Sequence, residues 1–138
     1  MGQLQEIEPA NGPAEIKKYV RANENLMLGK AQLNSIVYAF WRHQLYAVTL
    51  WTTGQVKYRA LRREIFNRFG VGLKSDQKRE RYLWSDAYSE RILKYDDADQ
   101  SALFWMRSKE LNQRYQLSQI RAPSACLEAM ETTAVNSN

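Results

Sequence analysis

The sequence predicts an all-α protein, a small bundle of about five helices with flexible N- and C-terminal tails. Three observations lead there. Apolar residues recur at helical spacing across two stretches, residues 30–51 and 55–69. A glycine, Gly70, stands directly after the last periodic residue of the second stretch. Side-chain oxygens that start helices precede the apolar segments downstream, at Ser85-Asp86 and at Asp97. A period near 3.6, an oxygen-bearing start and a glycine stop are the local marks of a helix.

In chain order, residues 1–13 hold Pro9, Asn11, Gly12 and Pro13 among acidic residues and read as a flexible lead-in to one helical domain over 14–120. A short helix is expected from Ala14 to Ala22, where Pro13 suits the first helical position and Ile16, Tyr19 and Val20 keep helical spacing. Between Lys30 and Trp51, the residues Leu33, Ile36, Val37, Phe40, Trp41 and Val48 follow the stripe of one helix face. Tyr38, Leu45, Tyr46 and Leu50 fall outside that stripe. A helix apolar around most of its girth is either central or buries a second face against a partner. Tyr38, Trp41, Leu45, Tyr46, Leu50 and Trp51 are therefore the candidate protein interface. The alternative here is a strand over Tyr46 to Thr53, because its Val, Thr, Leu and Trp residues are strand formers.

A second strong helix is expected from Gln55 to Phe69, with Tyr58, Leu61, Ile65 and Phe69 along one side. Gly70 would end it and Val71 would supply the apolar contact that accompanies such a stop. Ser85 and Asp86 open a helix running to Tyr95 with Tyr88, Ile92 and Tyr95 inward. Asp97 followed by Gln100 resembles a capping box for a last helix to Leu117, whose apolar set is Leu103, Phe104, Met106, Leu111 and Tyr115. From residue 121 to 138 the small polar residues around Pro123 read as a tail. No internal repeat stands out.

At 138 residues and 44% hydrophobic content, the chain can build one core and keep some apolar surface for a partner. Chemistry is not what the residues suggest. With one cysteine, Cys126, and one histidine, His43, neither a disulfide framework nor a zinc ligand set is available. His43 has no nucleophile and carboxylate at a known spacing around it and reads as structural. The trio Asp96, Asp97 and Asp99 lacks the glycine and terminal glutamate of a calcium loop and reads as a turn or cap. Gly70-Val71-Gly72 lacks the spacing and lysine of a phosphate-binding loop. A non-enzymatic protein without metal or cofactor is expected. It is expected to be cytoplasmic and not membrane-inserted, since the N-terminus has no signal-peptide pattern and the apolar stretch 36–51 is too short to span a bilayer.

The net charge of +5 is concentrated: residues 57–94 carry eleven Lys or Arg against five Asp or Glu. On the expected second helix Arg59, Arg62 and Arg63 share one face, and Arg68 extends it. Lys74, Lys78, Arg79 and Arg81 follow, able to neutralise several phosphates and make binding salt-dependent. Tyr82 and Trp84 sit beside this run, where stacking on single-stranded bases would be sterically easiest. Nucleic acid, DNA ahead of RNA, is the leading partner. A host protein is the second, and the apolar stretch also permits homo-oligomerisation. The bland reading is a solvated helix face balanced by Glu64, Glu80 and Glu90. Likewise Trp41, Trp51, Trp84 and Trp105 are spread as one core anchor per segment would require.

The run Tyr58-Arg59-Ala60-Leu61-Arg62-Arg63-Glu64-Ile65-Phe66-Asn67-Arg68-Phe69-Gly70-Val71 resembles the helical C-terminal domain of phage antirepressor and regulatory proteins, the ORF6C type. Leu33, Ile36 and Val37 are similar to that domain's first helix. The likeness covers about a third of the chain, and the charged residues from Leu73 to Arg81 depart from the family pattern. It implies a phage- or mobile-element-encoded regulator of host processes or defence that acts by binding.

Overall fold

The computed structural model describes residues 3–7 and 15–121. About half of the described residues are strand, in one large sheet, and the all-α expectation is overturned. Eight strands form one antiparallel sheet: β1 (Leu4–Ile7), β2 (Ile16–Arg21), β5 (Ser35–Trp41), β6 (Gln44–Thr53), β10 (Ser101–Ser108), β9 (Ser89–Asp96), β8 (Glu80–Ser85) and β7 (Leu73–Lys74), in that spatial order. A small hairpin of β3 (Met27–Leu28) and β4 (Ala31–Gln32) stands apart. Two helices complete the described residues, α1 (Gln55–Phe69) and α2 (Lys109–Arg121).

Of the five expected helices, only that from Gln55 to Phe69 is a helix as expected. Gly70 follows it at φ +82°, and its N–H reaches back to the Phe66 carbonyl at 2.9 Å. The stretch from Lys30 to Trp51 is instead strand β4, a loop and the hairpin β5–β6, so the strand alternative for Tyr46 to Thr53 is the correct one. This misreading has a physical cause. Strands β5 and β6 lie inside the sheet, with Ile36, Val48 and Leu50 packed on the α1 side and Ala39, Trp41, Tyr46 and Ala47 on the α2 side, so both strands carry apolar residues on both faces and lose the alternation that identifies a strand. Their turn is hidden as well. Arg42 and His43 form a two-residue connection with φ of 51° and 65°, conformations usually taken by Asn-Gly.

The other expected helices are replaced by strands as well, in whole or in part. The helix expected from Ala14 to Ala22 is strand β2, and within the expected lead-in Leu4–Ile7 form β1, paired with it. The segment opening at Ser85-Asp86 is a hairpin turn and strand β9. Asp86 Oδ1 accepts the N–H groups of Tyr88 and Ser89, both at 2.8 Å. A carboxylate accepting amides two and three residues ahead is equally an Asx turn and a helix N-cap, so the sequence signal is the same. Asp96 and Asp99 do likewise for Ala98 and Ser101 in a turn between strands β9 and β10, where a capping box at Asp97 and Gln100 was expected to open a helix. Consequently the last helix begins only at Lys109, and Leu103, Phe104 and Met106 belong to β10. Residues 1–2 and 8–14, and the tail from residue 122 with Pro123 and Cys126, lie outside the described residues.

Two packed layers sit on opposite faces of the sheet. On one, α1 presses Tyr58, Leu61 and Ile65 onto Leu50, Leu93, Ala102 and Phe104. Tyr58 stacks on Tyr95 at 4.7 Å between ring centres, and Phe69 stacks on Phe104 at 5.9 Å. On the other face, α2 sets Leu111 and Tyr115 against Ile16, Ala39, Trp41, Tyr46 and Ala47. A bulge between Ala39 and Phe40 gives β6 the extra residue that seats Tyr46, whose hydroxyl donates to Asn112 Oδ1 at 2.7 Å. Strand alternation puts Leu50 and Phe104 on the α1 face and Ala47 and Trp105 on the α2 face. Four sheet strands precede each helix, β1, β2, β5 and β6 before α1 and β7 to β10 before α2. No helix among the described residues is long and apolar enough to cross a membrane.

Candidate nucleic-acid interface

Because α2 lies over β2, β5 and the first half of β6, with Trp105 of β10 packed at its margin, the part of that sheet face beyond Trp105 stays open. Antiparallel register lines up one row across it: Trp51 of β6 opposite Leu103 of β10, Leu103 opposite Lys94 of β9, and Lys94 opposite Arg81 of β8. Residues paired across strands project from the same face, and three interstrand steps span about 14 Å. The next row on this face is apolar, made of Thr49, Trp105, Ile92, Leu83 and Leu73.

Over the first row runs a groove of about 660 Å³, whose lining includes Trp51, Lys78, Arg79, Arg81, Lys94 and Leu103. Trp51 remains 40% exposed, a large aromatic left outside the core. Arg81 and Lys94 stand directly opposite each other, a like-charge pair that works against the sheet. Among the described residues neither has a carboxylate within ion-pair distance. Arg81 and Lys94 form an unpaired cationic doublet beside an aromatic face, and the carboxylates of Glu80, Asp96 and Asp97 also line the groove.

The arginines of α1 are distributed differently from the stripe that the spacing suggests. Arg59 and Arg63 are exposed on the outer side of the helix. Arg68 stays half-exposed, 3.6 Å from Glu64. Arg62 turns inward, where its guanidinium donates to Glu80 Oε2 at 2.6 Å and lies 5.5 Å from the Tyr58 ring centre. The same carboxylate accepts from the Tyr58 hydroxyl at 2.7 Å and the Tyr82 hydroxyl at 3.2 Å, with Lys74 3.7 Å away. Burial alone raises the Glu80 carboxyl. The hydrogen bonds from Tyr58 and Arg62 and the charge of Arg62 outweigh it, so the group sits below its usual range. Tyr58 is pushed strongly upward, by burial first and then by its bond to Glu80. This cluster fastens α1 to β8 and leaves Arg62 and Lys74 facing a carboxylate.

Tyr82 and Trp84 lie on the α1 side of the sheet, opposite the groove. Phe66 meets them edge-on at 5.1 and 6.0 Å, and Trp84 donates its indole N–H to the Gly70 carbonyl at 2.9 Å. Arg79 pairs with Asp76 at 3.7 Å but is largely exposed, and Lys78 is exposed at the same hairpin. Of the candidate protein interface, Trp41, Tyr46 and Leu50 are buried, and Tyr38 is half-buried with its hydroxyl donating to Glu24 at 2.8 Å. Leu45 and Trp51 are exposed at opposite ends of β6. The over-apolar helix expected there does not exist, and only Trp51 joins the basic residues. Lys94 and Leu103 complete the row although sequence reasoning passed over them. Their signal was the two-residue spacing that sets Arg81 with Leu83, and Ile92 with Lys94, on one face, which becomes readable once β8 and β9 are known to be strands.

The run Tyr58 to Val71 is α1 with its glycine stop and the residue beyond, while Ile36 and Val37 lie in β5. Comparison with known proteins finds no family model, no curated protein and no solved structure that matches this chain.

Proposed function

We propose that this protein binds single-stranded nucleic acid across the open half-face of its sheet. Trp51 stacks a base, and Arg81 and Lys94, extended by Lys78 and Arg79, take the phosphates. The observation that carries this reading is the row Trp51, Leu103, Lys94, Arg81, in which a half-exposed indole shares a face with two opposed, unpaired cations. Aromatic platforms beside a cationic track suit single strands, whose bases are free to stack, better than a duplex. DNA stands ahead of RNA, as does a role in phage or mobile-element regulation, on the resemblance of residues 58–71 alone.

Anisotropy of labelled 20-nucleotide DNA and RNA strands, titrated at two salt concentrations, tests it. Binding should weaken steeply with salt, and Arg81→Glu with Lys94→Glu should abolish it. Binding that ignores salt, or that survives both reversals, would refute the reading.

A second reading, an inhibitor or adaptor docking an acidic host protein, is favoured by the apolar row beside the groove, which ends in Leu73 at 73% exposure. Co-purification separates the two: a stoichiometric protein partner that persists after nuclease treatment favours docking.

A further inference from the structure

The opposite face of the sheet has an open half too. There α1 covers β6, β8, β9 and β10, and β2 and β5 are left with Lys17, Tyr19 and Phe40 beyond its reach. With Leu4 and Glu15, and with Arg42 and His43 of the β5–β6 turn, these residues line a pocket of about 500 Å³. That volume falls within the size range of small-molecule sites, roughly 300–1,000 Å³.

Its lining is amphipathic. Tyr19 and Phe40 meet edge to face, 5.4 Å between centres and 87° apart, and with Leu4 make an apolar wall. Lys17 and Arg42 bring two cations, neither with an ion-pair partner among the described residues, and His43 adds an imidazole. The one carboxylate, Glu15, is engaged from α2 by the Gln119 amide at 2.7 Å. The turn itself points the same way. Arg42 and His43 occupy two left-handed positions at φ 51° and 65°, where a side chain costs stability and Asn-Gly would cost less. The Arg42 guanidinium rests 4.5 Å from the ring centre of Trp41, a residue of the α2 face, so Arg42 bounds the pocket from the turn end.

We infer that this pocket binds an aromatic anion of nucleotide size, its ring against Tyr19, Phe40 and Leu4 and its anionic group on Lys17, Arg42 and His43. A free mononucleotide and the terminal nucleotide of a strand present the same chemistry. The apolar wall of the site lies on the face opposite Trp51, on strands at the other end of the sheet from Arg81 and Lys94, so it is tested separately from the groove.

The test uses the full chain, isotope-labelled, with amide shifts of β2, β5 and the turn followed by NMR. The probes are thymidine 5′-monophosphate, thymidine, and a 5′-phosphorylated oligothymidylate. The monophosphate should shift these amides and thymidine should bind at least about tenfold more weakly, as loss of charge-assisted hydrogen bonds implies. The double substitution Arg42→Asn and His43→Gly, whose residues suit the turn, should weaken the monophosphate by a similar factor while the amide spectrum stays that of the folded chain. Trp51→Ala should leave it unchanged. Tighter binding of the oligomer than of the monophosphate assigns the site to a strand end, and equal binding to a free nucleotide. Absence of shifts at these amides, or equal affinity for thymidine and its monophosphate, overturns the inference.

Discussion

Arg62 lies 2.6 Å from Glu80, and that pair, with Tyr58 on the same carboxylate oxygen, fixes helix α1 to strand β8. Replacing Glu80 by Gln removes the charge that Arg62 and Tyr58 both require. Chemical denaturation should register a loss of about 1–3 kcal/mol, the usual scale for hydrogen bonds to a charged group. The pH dependence has a definite sign. Glu80 is held below its ordinary value of 4.5 in the folded protein, so its contribution is complete above that pH and fades as pH falls through the lowered folded value. The stability gap between the native chain and Glu80→Gln should therefore close in acid, below about pH 4.5. A gap that stays constant to pH 2 would contradict the pairing.

Trp51→Ala should cost little stability, since the indole is 40% exposed, and should weaken single-strand binding about tenfold. Stacking of one base is worth ~1–3 kcal/mol. Parallel measurement of melting temperature and oligonucleotide affinity checks both halves of the expectation.

Charge reversal discriminates between the two basic surfaces. Arg81→Glu and Lys94→Glu should each flatten the dependence of log affinity on log salt by about 0.7, the increment for one phosphate on a single strand. Arg59→Glu and Arg63→Glu, on the outer side of α1, should change that slope far less. The reverse ranking would move the interface from the sheet to the helix.

Gly29→Ala should destabilise the chain by at least ~1–2 kcal/mol, the scale for one non-glycine residue held in the left-handed region. Gly29 turns at φ +58°, and the place a Cβ would take is filled by the carboxylate of Glu64. Glu64 also accepts the Lys30 amide at 3.2 Å, so the methyl would disturb the seat of α1 on the β3–β4 hairpin. Thermal unfolding measures it.

The double change Arg42→Asn and His43→Gly should act in the opposite direction and raise the melting temperature, because both new residues suit the turn that φ 51° and 65° define. An unchanged or lower melting temperature would show that those two side chains stabilise the hairpin.

Helix α1 was legible from Gln55 to Phe69 because its period, its glycine stop and its inward residues Tyr58, Leu61 and Ile65 all concern neighbours a few positions apart. The break at Asp96 to Asp99 was legible for the same reason. Strands β5 and β6 were not, since apolar residues on both of their faces removed the alternation and Arg42-His43 masked the turn. The Asp86 turn was read as a helix start because a side-chain oxygen offers the same two hydrogen bonds in either setting.

By itself the sequence determined the excess of positive charge in residues 57–94, one helix, and the supply of aromatic residues from which both cores are built. Only the tertiary structure decided which cations are free. Arg62 and Lys74 face Glu80, whereas Arg81 and Lys94 meet each other beside Trp51, residues up to 43 positions apart brought into one row. The physical reason is register. Pairing between distant strands is set by the burial of whole faces, and a shift of one residue would move every side chain in that row to the opposite side of the sheet.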